Sequence, residues 1–130
     1  MLDEVSSWLD PKPGALIVDA TVGAGGHAAA IADRLGAEGK VVGLDRDPMM
    51  LDLAQQQVGD LPITLVRSAY DRIGEVLDDL GIELVDGIHA DLGFASDQMD
   101  TASRGFSFQR EGPLDMRFDP DQPTTAASIV

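Results

Sequence analysis

Short apolar stretches with β-branched residues recur through the first two thirds of the chain, at 16–20 (Leu-Ile-Val-Asp-Ala), 40–45 (Lys-Val-Val-Gly-Leu-Asp), 63–66 (Ile-Thr-Leu-Val) and 84–91 (Leu-Val-Asp-Gly-Ile-His-Ala-Asp). Each reads as a strand, and each gap leaves room for a helix. In the first gap Ala28, Ile31, Ala32 and Leu35 fall at i, i+3, i+4 and i+7, and Gly36 stands where a C-terminal cap belongs. In the second, Asp47 before Pro48 is an N-cap ahead of an N1 proline, with Leu51, Ala54 and Val58 on one helical face. In the third, Ile73, Val76, Leu77 and Leu80 keep the helical period and Gly81 closes it. Residues 5–9 predict a short helix packed near the first strand. Strand and helix in alternation predict an α/β fold, a doubly wound parallel sheet of about four strands with right-handed crossovers.

After Asp91 the periodicity stops, and a stretch rich in Gly, Pro, Asp and Ser runs to residues 125–130, Thr-Ala-Ala-Ser-Ile-Val, which predict the start of a helix. A loop of that length beside a compact domain is functional or disordered. Its two motifs, Arg104-Gly-Phe-Ser-Phe108 and Gly112-Pro-Leu-Asp-Met-Arg-Phe-Asp119, interleave aromatics, arginines and carboxylates, unlike a flexible linker. The expected organisation is therefore a ligand-binding part over 1–92 and a substrate or active-site segment over 93–130.

With 130 residues, 44% of them hydrophobic, the chain can bury one core of modest size. The absence of cysteine removes disulfides and thiolate metal sites, and two separated histidines, His27 and His89, are too few for a zinc site, so no metal is expected. No apolar run approaches the roughly 20 residues that span a bilayer, and the opening Met1-Leu-Asp-Glu-Val lacks the basic segment of a secretory signal. A cytoplasmic location with no membrane partner is the expectation. A formal charge of −14 is the opposite of the basic footprint that phosphate binding calls for. It fits either a solvated acidic surface or a cell interior rich in salt.

The candidate chemistry lies where the strands end. In an open parallel sheet, ligands sit beyond the carboxyl ends of the strands where strand order reverses, which brings the glycine turn after the first strand, Asp45 and Asp91 to one crevice. Gly23, Gly25 and Gly26 permit positive φ and close backbone approach, and the helix beginning near His27 offers unpaired N–H groups. Asp45, about twenty residues on, is placed to accept from both hydroxyls of a ribose. An adenosine-type ligand follows. Residues 23–28 also satisfy the G-x-G-x-x-A form of the dinucleotide fingerprint, which keeps NAD open. Asp19 favours S-adenosylmethionine instead, because a carboxylate beside the turn repels a pyrophosphate but attracts a cationic ligand; alternatively Asp19 only caps the turn. His27 either touches the ligand's carboxylate or only starts the helix, and His89 reads as a hydrogen-bonded strand or core residue. Phe106 and Phe108 are either core or, with Arg104 and Ser107, a base-stacking surface.

Several segments together point further: Pro11-Lys-Pro-Gly14, the run 18–27, Gly43-Leu-Asp-Arg-Asp-Pro48, Asp86-Gly87, Asp91-Leu-Gly93, Gln98, Asp100 and the two motifs of the tail. In these the chain resembles the MraW-type bacterial methyltransferases, S-adenosylmethionine-dependent enzymes that modify N4 of a cytosine in small-subunit (16S) ribosomal RNA. The resemblance implies a Rossmann-like methyltransferase fold, incomplete in this chain, with S-adenosylmethionine as cofactor and small-subunit ribosomal RNA or the small ribosomal subunit as partner. It implies that Gly25, Gly26, His27, Asp45, Asp91 and Gln98 contact the donor, and that Tyr70, where the family has Phe, flanks the adenine. Asp91 is the candidate catalytic residue, accepting a hydrogen bond from the cytosine amine. Arg104, Phe106 and Phe108 are the candidates for holding an unstacked base and its neighbouring phosphate. The sequence departs from the family at Phe94-Ala95-Ser96, which replaces Val-Ser-Ser, and at Phe118, which replaces a common Met. The family pattern starts just upstream of Leu2 and extends well past Val130, through an inserted helical domain and further strands. A non-catalytic S-adenosylmethionine-binding module and, behind it, an NAD-dependent dehydrogenase fragment are the alternatives.

Overall fold

The computed structural model describes residues 2–130, which form two units, one running to Asp91 and one from Leu92 to Val130. In the first, α1 (Leu2–Leu9) leads into β1 (Leu16–Asp19), α2 (Gly26–Leu35), β2 (Lys40–Asp45), α3 (Pro48–Val58), β3 (Ile63–Arg67), a 3-10 turn at Tyr70–Arg72, α4 (Ile73–Asp79) and β4 (Gly87–His89). The strands are parallel in the order β3-β2-β1-β4. The chain leaves β1 toward β2 and later returns to β1's other side as β4. The reversal point of the doubly wound sheet therefore lies between β1 and β4, where such sheets hold their ligands.

The start of α3 and the ends of α2 and α3 have local causes. Asp47 caps α3, its Oδ1 accepting from the Met49 amide at 3.0 Å, and Pro48 follows with a φ already suited to the first turn. Gly36 and Gly59 close α2 and α3 with positive φ. Alternate strand residues then face opposite helical layers. Ile17 and Val41 pack under Ala28, Ile31, Ala32 and Leu35 of α2 and Ala54 of α3. Val18, Val42 and Leu44 form the opposite face with Val76 of α4, assisted by the partly buried Ile73, Leu77 and Val85. Burial of Ile31 or Leu35 stabilises the fold by about 1.5–3 kcal/mol each. The inward row of α3 is Met50, Ala54 and Val58, with the expected Leu51 only partly buried beside it.

Two expectations need correction. The apolar run 84–91 forms a strand only at Gly87–His89, because its sole partner among the described strands, β1, offers Ile17, Val18 and Asp19 for pairing, and Leu84 stays 86% exposed. The helix expected over 125–130 is a single 3-10 turn, Ala126–Ser128, capped by Thr125.

The second unit contains α5 (Ser96–Asp100), a 3-10 turn at Ala102–Arg104 and that last turn. Its two motifs clasp each other. A Cβ on Gly105 would lie 2.1 Å from the Pro113 carbonyl oxygen, and one on Gly112 would lie 2.0 Å from that of Ala102, so both positions require glycine. Phe106 sits between Phe94 and Phe118, with ring centroids 6.1 and 5.1 Å away. The Arg104 guanidinium donates to the carbonyls of Arg117 and Phe118, both at 2.9 Å. Asp115 receives the Arg117 side chain through both oxygens, at 2.8 and 2.7 Å, and that ion pair holds its carboxyl down at about 2.

Candidate functional site

The carboxyl ends of β1 and β2 and the turn into α2 assemble a polar crevice from a few residues. Asp45, the last residue of β2, accepts from the Gly23 amide through Oδ2 at 3.0 Å and from the Asp47 amide through Oδ1 at 2.9 Å. Each oxygen keeps a further lone pair, so two backbone donors orient a carboxylate that can still receive both hydroxyls of a ribose. Burial raises the Asp45 pKa, partly offset by those two amides. The same bond fixes Gly23, and with it the turn.

Asp19, the last residue of β1, is fully buried. Its Oδ1 accepts from the Thr21 amide at 3.2 Å, which is the turn-capping role, but its Oδ2 is buried with no partner. One oxygen of this carboxylate thus closes the turn, and the other has no partner. Burial pushes its pKa up to about 6, with Asp45 and Asp91 adding to the rise and Thr21 and His27 opposing it. A buried carboxylate oxygen without a donor is costly, and a cationic ligand is a natural partner for it.

Two of the glycines divide the labour. Gly25, at the head of α2, has φ +88, and a Cβ there would meet Val58 Cγ1 at 3.1 Å and the Ala54 Cα at 3.2 Å. Its place is set by the packing of α2 on α3. Gly26 has no heavy atom within 4 Å of where a Cβ would be, leaving the N-terminal face of α2 open to a ligand. His27 follows, half-buried, its ring 4.9 Å from that of His89, and the Nε2 atoms of both are buried without partners. His89 is the strand residue expected, its carbonyl accepting from the Ala20 amide at 2.8 Å, while its ring nitrogen Nε2 stays unpaired. Asp91, exposed, is anchored by its amide, which donates to Thr21 Oγ1 at 2.7 Å. Tyr70 is 53% exposed at the start of its 3-10 turn. The geometry brings together Asp19, Gly23, Gly26, His27, Asp45 and His89; of these, His89 was not anticipated as a site residue, and a histidine beside a strand end was its only signal.

In the second unit Gln98 is buried, its Oε1 accepting from the Ala95 amide at 2.9 Å. Phe106 is 8% exposed and Phe108 94%. The expectation of a three-residue RNA surface is corrected accordingly: Phe106 is the unit's core and Arg104 braces the clasp, because both face the second motif, and only Phe108 presents an open ring. Among the described residues no cluster of three or more His, Cys, Asp or Glu has the arrangement to hold a metal ion, and no helix is long and apolar enough to cross a membrane.

The model of the MraW methylase family matches residues 1–130. The chain is 44% identical over 133 residues to the ribosomal RNA small subunit methyltransferase H of Heliobacterium mobile, covering all of this chain and 43% of that protein. It is 47% identical over 135 residues to the protein of the same name from Kineococcus radiotolerans, covering all of this chain and 34% of that one. The chain thus spans less than half the length of these relatives. Among solved structures, Aeropyrum pernix fibrillarin in complex with natively bound S-adenosyl-L-methionine superposes with a TM-score of 0.56 at 23% identity, over 74% of this chain and 42% of that one, a likeness of fold.

Proposed function

The chain belongs to the MraW methylase family, and from that premise we propose that it binds S-adenosylmethionine at the carboxyl edge of its sheet and serves methyl transfer to the N4 amine of a cytosine in small-subunit ribosomal RNA. The observation that carries the choice of ligand is the unpartnered Oδ2 of buried Asp19 beside a glycine turn and an oriented Asp45. A dinucleotide would bring its pyrophosphate to that turn and meet the Asp19 charge; a sulfonium donor with an ammonium group brings positive charge instead. The arrangement therefore favours the methyl donor over NAD.

When bound, S-adenosylmethionine supplies a methyl group activated by a positively charged sulfur. The chain's own residues do the rest. Asp45 accepts from the ribose hydroxyls. Gly26 and the first amides of α2 admit the donor's amino-acid end, whose carboxylate His27 contacts. The cytosine amine is a weak nucleophile because its lone pair is delocalised into the ring, so a carboxylate that accepts one N–H bond holds the nitrogen in line and supports the charge it gains. Asp91, exposed and anchored through its amide, takes that role, and the proton is shed from the methylated nitrogen afterwards. Phe108 provides a face on which a base can stack, worth about 1–3 kcal/mol in single-stranded recognition. Tyr70 flanks the adenine. The location proposed is the cytoplasm, where ribosomal RNA is found.

Calorimetric titration of the chain with S-adenosylmethionine and with NAD tests the ligand; saturable binding of the first alone is expected, and the reverse preference defeats the proposal. A methyl-transfer assay on small-subunit RNA then tests the activity. In the longer relatives' setting, Asp91→Asn is expected to keep donor affinity and lose turnover. If the variant keeps both, Asp91 is not the acceptor.

A further inference from the structure

The side chains of Asp19, His27 and His89 share one face of the sheet. Asp19 and His89 are register partners on β1 and β4, so their side chains leave the sheet on the same side. His27 opens α2 on that side and packs its ring on His89 at 4.9 Å with a 50° tilt. The Nε2 atoms of both rings are sealed from solvent. An imidazole's outer torsion is broad and roughly two-fold, so on its own a histidine at a helix start does not present one nitrogen in one direction. A neighbouring ring that encloses one nitrogen removes that freedom and leaves the other for a ligand.

We propose that His89 is a positioning residue of the donor site: its ring, packed on His27, fixes the imidazole at the head of α2 so that this imidazole reads the amino-acid end of the methyl donor. The inference rests on the reading that the crevice binds S-adenosylmethionine. It assigns to β4 a part in ligand selection that is separate from the ribose contact on β2, since Asp45 is held by Gly23 and Asp47 and by neither histidine. The two halves of the donor are then recognised independently. A ligand that carries the adenosine and the sulfur but lacks the amino-acid end should be blind to His89.

The test compares S-adenosylmethionine with 5′-methylthioadenosine by calorimetry on the 130-residue chain. His89→Ala is expected to weaken S-adenosylmethionine about three- to tenfold, part of what one hydrogen bond to a carboxylate contributes, because that bond is loosened and not lost, with 5′-methylthioadenosine unchanged. His89→Phe, which keeps a ring against His27, is expected to recover most of that loss. Unchanged binding of 5′-methylthioadenosine also shows that each variant is folded. The proposal is overturned if His89→Ala leaves both ligands unaffected, if it weakens both equally, or if His89→Phe is as poor as His89→Ala. Asp45→Ala, expected to weaken both ligands, separates the two levels: when the unsubstituted chain binds neither ligand the donor-site reading itself fails, whereas a normal Asp45→Ala response with a silent His89→Ala removes only the role given to His89.

Discussion

Replacing Asp19 by asparagine should stabilise the folded chain at neutral and alkaline pH while damaging its site. Asp19 is fully buried, and burial raises its carboxyl from 3.8 to about 6. At 1.36 kcal/mol per pH unit that displacement corresponds to about 3 kcal/mol. The sign follows from linkage. A pKa raised in the folded state means that the folded chain holds the proton more tightly than the unfolded one. The associated stability is fully present below about 3.8 and is lost as pH rises through about 6, leaving a buried anion above that. Asparagine keeps an oxygen for the Thr21 amide and carries no charge. The variant is therefore expected to be about 1–3 kcal/mol more stable than the parent at pH 8, with the difference level down to about pH 6 and shrinking from there toward pH 4. Urea unfolding followed by far-ultraviolet circular dichroism at intervals from pH 4 to 8 measures it, and the parent-minus-variant difference cancels the titrating groups that do not interact with Asp19, as His27, Asp45 and Asp91 do. A difference that stays constant across that range would refute the reasoning. The same carboxylate sets the ligand's pH dependence: S-adenosylmethionine affinity of the parent should fall toward tenfold per pH unit below about 6, and that of the variant should be weak and flat.

Three further outcomes follow from the same geometry. Asp45→Ala removes a charged acceptor of the ribose hydroxyls and unties Gly23, so donor affinity should drop by at least an order of magnitude in a titration, given about 1.5–3 kcal/mol for a hydrogen bond to a charged group. Gly25→Ala should lower the thermal midpoint, since a left-handed alanine costs about 1–2 kcal/mol before any crowding of Val58 and Ala54; an unaltered midpoint would show that α2 and α3 part easily. Phe106→Ala should destabilise the second unit by about 3 kcal/mol, typical of a buried ring, whereas Phe108→Ala should leave melting unchanged and weaken RNA binding; equal effects from the two would contradict the placement of the rings.

Much of this architecture was legible in the residues, because the determinants were local. Asp47 and Pro48 announced α3, Gly36 announced the end of α2, and apolar runs at helix-sized spacing announced a parallel sheet. Asp45 and the glycine turn were readable for the same reason, their spacing being a property of one strand-helix-strand unit. What escaped depended on partners distant in sequence. The extent of β4 is set by how much of β1 is available to pair, which no pattern within 84–91 encodes. Arg104 and Phe106 have the composition of an RNA surface whether they face solvent or the Gly112 motif, and only the close approach at Gly105 decides for packing. His89 matters through His27, which lies far along the chain on another element.

The clasp in the second unit changes what its two motifs report. Arg104, Gly105 and Phe106 in one strip and Gly112, Asp115 and Arg117 in the other are constrained by each other through shape and through the bonds from Arg104 to the Arg117 and Phe118 carbonyls. A search keyed to these strips would gather chains by how this segment folds, and a descendant that had lost its chemistry would keep the signature for as long as it kept the shape.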